Sequence, residues 1–126
     1  VARATLLIAG HPAPKGSRVF LGKGRGSRES SDRCKPWVEQ IIYAARANRP
    51  PGGPLEPPYE VELSFSMPKG DRPKYGWPTK DGDLDKLVRA VLDGLTQGGM
   101  LVDDRHVTRI VTEKKFGTPS VAIRIA

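Results

Sequence analysis

Residues Asp81 to Asp104 read DGDLDKLVRAVLDGLTQGGMLVDD, and the fold turns on how this stretch reverses on itself. Leu84, Leu87, Val88, Val91, Leu92 and Leu95 recur at the spacing of a helix lying on a core. Asp83 and Asp85 open that helix, and Gly98-Gly99 stop it just past Gln97. Met100-Leu101-Val102 then reads as a short strand leading into a second acidic pair, Asp103 and Asp104. The helix rises about 20 Å, and a strand onward to Asp104 covers roughly 16 Å. If the glycines send the chain back along the helix, the second pair returns close to the first. Carboxylates that close repel unless a cation sits among them, so the spacing predicts a metal site.

A carboxylate just ahead of an apolar helix is also the preferred N-cap, and one in the first turn suits the helix dipole. Capping alone therefore accounts for Asp83 and Asp85, but not for Asp103-Asp104 after a buried run. An all-oxygen donor set selects a hard cation, Mg²⁺ first, with Mn²⁺ accepting the same ligands. Arg89 lies one turn past Asp85 and Lys86 beside it, so both reach the same end of the helix. Arg89 would offset charge on a phosphoryl transition state, but it stays protonated and cannot serve as an acid. Its structural alternative is an i, i+4 ion pair with Asp85 or Asp93.

Outward from this stretch, the charge is uneven. The 126 residues carry a formal +7. Ten of the 21 Lys/Arg but only three of the 14 acids (Glu29, Asp32, Glu39) fall in residues 1 to 50. The acids gather later, where Asp71, Asp81, Asp83, Asp85, Asp93, Asp103 and Asp104 share one span. A basic arm beside an acidic cluster suits a metal-dependent enzyme acting on a polyanion. The length predicts a single domain over residues 1–126. No apolar run nears the ~18 residues of a membrane span, and no signal peptide is evident. The lone Cys34 excludes an internal disulfide, and with two His it cannot build a Cys/His zinc site. A soluble, cytoplasmic protein is expected.

In chain order, residues 3–9 read as a strand ended by Gly10 and the prolines beyond it. The basic, glycine-rich GKGRGSRESSDR follows, expected as a hairpin or loop whose Lys23, Arg25, Arg28 and Arg33 either contact phosphates or are simply solvated. It is not a Walker A loop, since no GK[ST] closes it. A helix over Pro36–Ala47 turns Trp37, Val38, Ile41, Ile42 and Ala45 to one face, with Trp37 a core anchor. Five prolines make residues 48–58 a surface connection. Tyr59–Met67 alternates as a half-buried strand. Its Glu60 and Glu62 face solvent, one of them reaching the acidic site if the strand neighbours it. The loop over residues 68–80 interleaves Lys69, Arg72, Lys74 and Lys80 with Tyr75 and Trp77. That pattern suits contact with single-stranded or distorted DNA and equally suits loop aromatics packing on the domain. Strands over Val107–Lys115 and around Val121, Ile123 and Ile125 end the chain. The order predicts an α+β or α/β domain, a small mixed sheet with two helices packed on it.

GDLDKLVRAVLDGLTQGGMLVDDRHV resembles the core motif of the RusA-type Holliday junction resolvases, common in bacteriophages and prophages. Pro14-Lys15-Gly16-Ser17-Arg18 and Lys114 look similar as well. The resemblance implies a homodimeric, Mg²⁺-dependent endonuclease that nicks symmetrically across four-way DNA junctions in recombination, repair or phage DNA processing. It places metal ligands at Asp83, Asp85 and Asp104, with Asp103 beside them, and the family's basic catalytic residue at Arg89. Lys15, Arg18, Lys23, Arg25, Arg28, Lys80, Lys86 and Lys114 would contact DNA. Lys86 stands where the family has Asn, and Thr79-Lys80-Asp81-Gly82 stands where it often has arginines. A non-catalytic DNA-binding module, or a nuclease of other branched or flap DNA, are the alternative readings.

Overall fold

A computed structural model describes residues 1–15, 18–20, 27–29, 33–70, 73–80 and 82–126, the two short segments as backbone alone. Strands β1 (Ala4–Ala9), β4 (Tyr59–Met67), β5 (Val107–Phe116) and β6 (Ser120–Ile125) form one mixed sheet in the order β1-β6-β4-β5. Strands β2 (Arg18–Phe20) and β3 (Ser27–Glu29) pair antiparallel as the expected hairpin. Two helices, α1 (Cys34–Asn48) and α2 (Leu84–Gln97), cover one face of the large sheet. The architecture is α+β, as the patterning predicts.

Alternation decides which face the helices take. Tyr59, Val61, Leu63, Phe65 and Met67 of β4 are buried, as are Val121, Ile123 and Ile125 of β6. The intervening residues face outward, where Glu62 pairs with Arg124 at 3.2 Å. Glu62 therefore points away from α2, and the expectation that this strand lends it to the acidic site fails. Helix α1 starts at Cys34 and buries Trp37, Val38, Ile41 and Ala45, so Trp37 is the anchor its pattern implies. Glycines let the helices meet closely: a methyl on Gly94 would lie 2.5 Å from Ile41 Cγ2, and one on Gly98 2.5 Å from Ala45 Cβ.

The relation of β4 to β5 sets up the site. They pair in parallel, which requires a crossover, and α2 is that crossover. It runs back against the strands, so its first residues lie near the end of β5 and its last near the start. Two contacts mark the ends. Lys114, late in β5, donates to the Gly82 carbonyl at 2.9 Å, and the turn at Asp104–His106 packs against α2 from just ahead of β5.

The expected strand at Met100–Val102 is not one. Only Leu101 bridges, to Leu55, and Leu55 N–H donates to the Met100 carbonyl at 3.0 Å. The Val102 N–H goes instead to the Tyr59 hydroxyl, so no backbone ladder continues. Gly99, at φ +82°, makes the reversal in a conformation that disfavours other residues.

Candidate active site

Asp83 occupies the N-cap of α2, yet its carboxylate accepts no hydrogen bond from the helix. Only its carbonyl is used, by Lys86 N–H and Leu87 N–H at 3.1 and 3.0 Å. The carboxylate is largely exposed and lies 3.6 Å from Lys86 Nζ. Ahead of it, Gly82 holds φ +110° against Pro14, whose ring a Cβ would meet at 2.8 Å. That contact lays the segment after β1 along α2. There Lys15 N–H donates to the Lys86 carbonyl, and Lys15 Nζ sits 2.6 Å from Asp93 Oδ2.

Asp85, Arg89 and Asp93 follow at i, i+4 and i+8, so they share a face of α2. Beside that face, between α2 and the inner side of β5, lies an open cleft of about 520 Å³. Asp85, Arg89, Asp104 and Thr112 supply its polar groups, and Leu84, Val88, Leu92 and Ile110 its apolar ones. Arg89 is exposed and forms no ion pair within 4.0 Å among the described residues, so the pairing with Asp85 or Asp93 does not occur.

Asp103 and Asp104 divide their roles. Asp103 Oδ1 accepts the Arg105 N–H at 2.9 Å, and Oδ2 lies 3.8 Å from Arg105 Nε. It caps the turn, and this backbone hydrogen bond lowers its pKa below the ordinary carboxylate value. Asp104 faces the cleft. Burial raises its pKa, and the charges of Asp93 and Asp103 raise it further, with Arg89 opposing. Negative charge at Asp104 is thus under-compensated.

The four carboxylates do not converge as the length estimate implies. Among the described residues, no three His, Cys, Asp or Glu side chains gather to hold an ion. The estimate carried an extended chain all the way to Asp104. In the structure it turns into the Asp104–His106 turn, and Asp104 comes level with Arg89 and Asp93. Asp85 and Asp104 share the cleft, whereas Asp83 and Asp103 do not line it.

Of the expected DNA contacts, Lys15 is tied to Asp93 and Lys80 is exposed on the loop before α2. Lys86 neighbours Asp83, and Lys114 holds the Lys80 and Gly82 carbonyls at 3.3 and 2.9 Å. Arg18 and Arg28 belong to the hairpin's paired strands, their side chains outside the described residues, as are Lys23 and Arg25 altogether.

Two further residues shape the site. Asp93 was legible from its phase on α2, i+8 from Asp85. Tyr59 was not: it reads as one more apolar position of β4. It is fully buried, donates to the Leu55 carbonyl at 2.5 Å and accepts from Val102 N–H at 3.0 Å, which fixes the chain ahead of the second acidic pair.

Fold and cleft together define a small α+β protein with two carboxylates in one groove beside a crossover helix, together with an arginine that has no ion-pair partner among the described residues. The chain belongs to the RusA endodeoxyribonuclease family, whose model matches residues 9–126. No match is found among curated proteins. No helix among the described residues is long and apolar enough to cross a membrane.

Proposed function

We propose that the protein nicks four-way DNA junctions in a reaction that depends on a divalent cation, Mg²⁺ in the first instance, with the Asp85–Arg89–Asp104 cleft as its catalytic centre. The observation that carries this reading is the sharing of one cleft by Asp85, Asp104 and an arginine with no ion-pair partner among the described residues. The donor set fits such an ion: it is all oxygen, and Asp104 lies in a negative field that a cation relieves. Mg²⁺ is commonly held by one or two carboxylates, with waters and substrate phosphates completing the octahedron, so two cleft carboxylates suffice. Asp85 and Asp104 would hold it.

When bound, the ion supplies Lewis acidity toward the scissile phosphate. The chain's own groups do the rest. Arg89 projects into the cleft with its charge free to meet a phosphate oxygen, and it neutralises charge that builds there. Leu84, Val88, Leu92 and Ile110 give the cleft an apolar wall beside Arg89. Lys15 occupies Asp93, which leaves Asp85 and Asp104 as the carboxylates turned to the groove.

Paired nicks on opposite strands require two such clefts, so the working unit is a pair of protomers. The test is a labelled immobile four-way junction incubated with protein and Mg²⁺, then with excess chelator. Symmetric nicks that vanish with chelator support the reading. A junction that stays intact under Mg²⁺ and Mn²⁺, or a monomer by sedimentation at micromolar concentration, contradicts it.

A further inference from the structure

The connection between β4 and α2 holds a second concavity that the cleft does not use. Lys69, Lys74, Tyr75, Trp77, Lys80 and Phe116 are among the residues around a hollow of about 350 Å³. Trp77 is 60% exposed and Tyr75 54%. None of the described residues lining the hollow is acidic. Large aromatic surface left in water beside three ammonium groups is ill suited to an apolar partner, whose docking would desolvate the lysines. It suits a nucleotide, whose base stacks on an aromatic face while its phosphate meets a cation. Lys74 Nζ already lies 5.4 Å from the Tyr75 ring centroid, so Trp77 is the more open platform.

Size narrows the ligand further. The hollow sits at the lower end of the range for small-molecule sites, about 300–1,000 Å³, which admits one nucleotide and not a duplex. Bases in continuous duplex are stacked on their neighbours, so only a base already out of the stack can enter. Position links the hollow to the cleft. Lys80 is part of its wall, and Lys114 ties the Lys80 carbonyl to that of Gly82, one residue before Asp83.

We propose that this hollow binds an unstacked nucleobase of the DNA strand at the branch point, with Trp77 as its stacking surface. The inference rests on the reading of branched DNA as substrate and adds how the branch is told from plain duplex. Intrinsic fluorescence tests it cleanly. The chain has two tryptophans. Trp37 is 2% exposed, so a change in emission on adding DNA reports Trp77.

The protein is titrated, in chelator to prevent nicking, with a four-way junction, a single strand and a duplex of matched sequence. Junction and single strand are expected to quench the emission, and duplex to leave it. By gel mobility shift, which needs no tryptophan reporter, Trp77→Ala is expected to bind junction and single strand about tenfold more weakly, as one lost stacked base does, with duplex binding within about twofold. Trp77→Phe retains most of the affinity. Circular dichroism identical to the parent shows that the fold is kept. Equal binding of the junction by Trp77→Ala and the parent, or an equal loss on duplex, overturns the assignment. So does emission that changes with protein concentration before DNA is added, which assigns the hollow to a second copy. Single-strand quenching by a protein that does not nick junctions sinks the junction reading and leaves the base site standing.

Discussion

The Tyr59 hydroxyl accepts the Val102 N–H at 3.0 Å, across 43 residues of sequence. Through that bond the first residue of β4 sets where Asp103 and Asp104 begin. Tyr59→Phe keeps the ring in the core but strands the Val102 N–H and the Leu55 carbonyl. A cost of about 1–3 kcal/mol in urea unfolding is expected, since these groups lose a buried partner. Nicking should fall further than junction binding, because the phosphate contacts stay while Asp104 shifts. Equal losses in both would show that Tyr59 supports only the fold.

Lys114 separates two roles in one measurement. As a phosphate contact, its loss would lower the salt slope of junction binding by about one. As the tether of the Lys80 and Gly82 carbonyls, its loss leaves that slope alone and frees the segment before Asp83. Lys114→Met is expected to reduce nicking about tenfold or more with an unchanged salt slope. A slope reduced by one would restore the sequence-based assignment of Lys114 to DNA.

Asp104 should weaken the metal-free fold at neutral pH. Its folded pKa is raised by burial and by Asp93 and Asp103, so its charged form is disfavoured on folding. Stability from this group is full below the ordinary carboxylate pKa of about 3.9 and is lost as pH rises through the raised value. Asp104→Asn is therefore expected to raise the melting midpoint in chelator at pH 7, with the gain shrinking toward pH 3. A lower midpoint at pH 7 would mean that the carboxylate makes a stabilising contact.

Gly94 is a helix-interior glycine whose replacement should run against propensity. On a free helix Gly→Ala stabilises by about 0.5–1 kcal/mol. Here the added methyl would meet Ile41 Cγ2 at 2.5 Å, and overpacking of this kind costs about 1–3 kcal/mol. A lower urea midpoint for Gly94→Ala is expected, and a higher one would show that α1 and α2 separate easily.

Much of this was legible because burial here is one-sided. The apolar stripe of α2 and the alternation of β4 each record which face meets the core, and both elements form where their patterns lie. The first-turn position of Asp85 and the glycine stop after Gln97 follow from local chemistry as well. The depth of the chain reversal does not. It depends on Leu55 and Tyr59, which hold Met100 and Val102 from a distant segment, and no pattern within residues 98–104 encodes that. The same blind spot hid the division of labour within each acidic doublet. Asp83 and Asp85 look equivalent in sequence, but only Asp85 has the helix phase that lines the cleft. Asp103 and Asp104 differ because one is taken by Arg105.

The central claim is that Asp85 and Asp104 act as one unit in the cleft. Its most direct test is the single-turnover nicking rate of an immobile four-way junction in Mg²⁺, for Asp85→Asn, Asp104→Asn and the double variant. Each single substitution is expected to abolish nicking while junction affinity holds, and the double variant should be no slower than either. Nicking by Asp104→Asn at the parental rate would contradict the account outright.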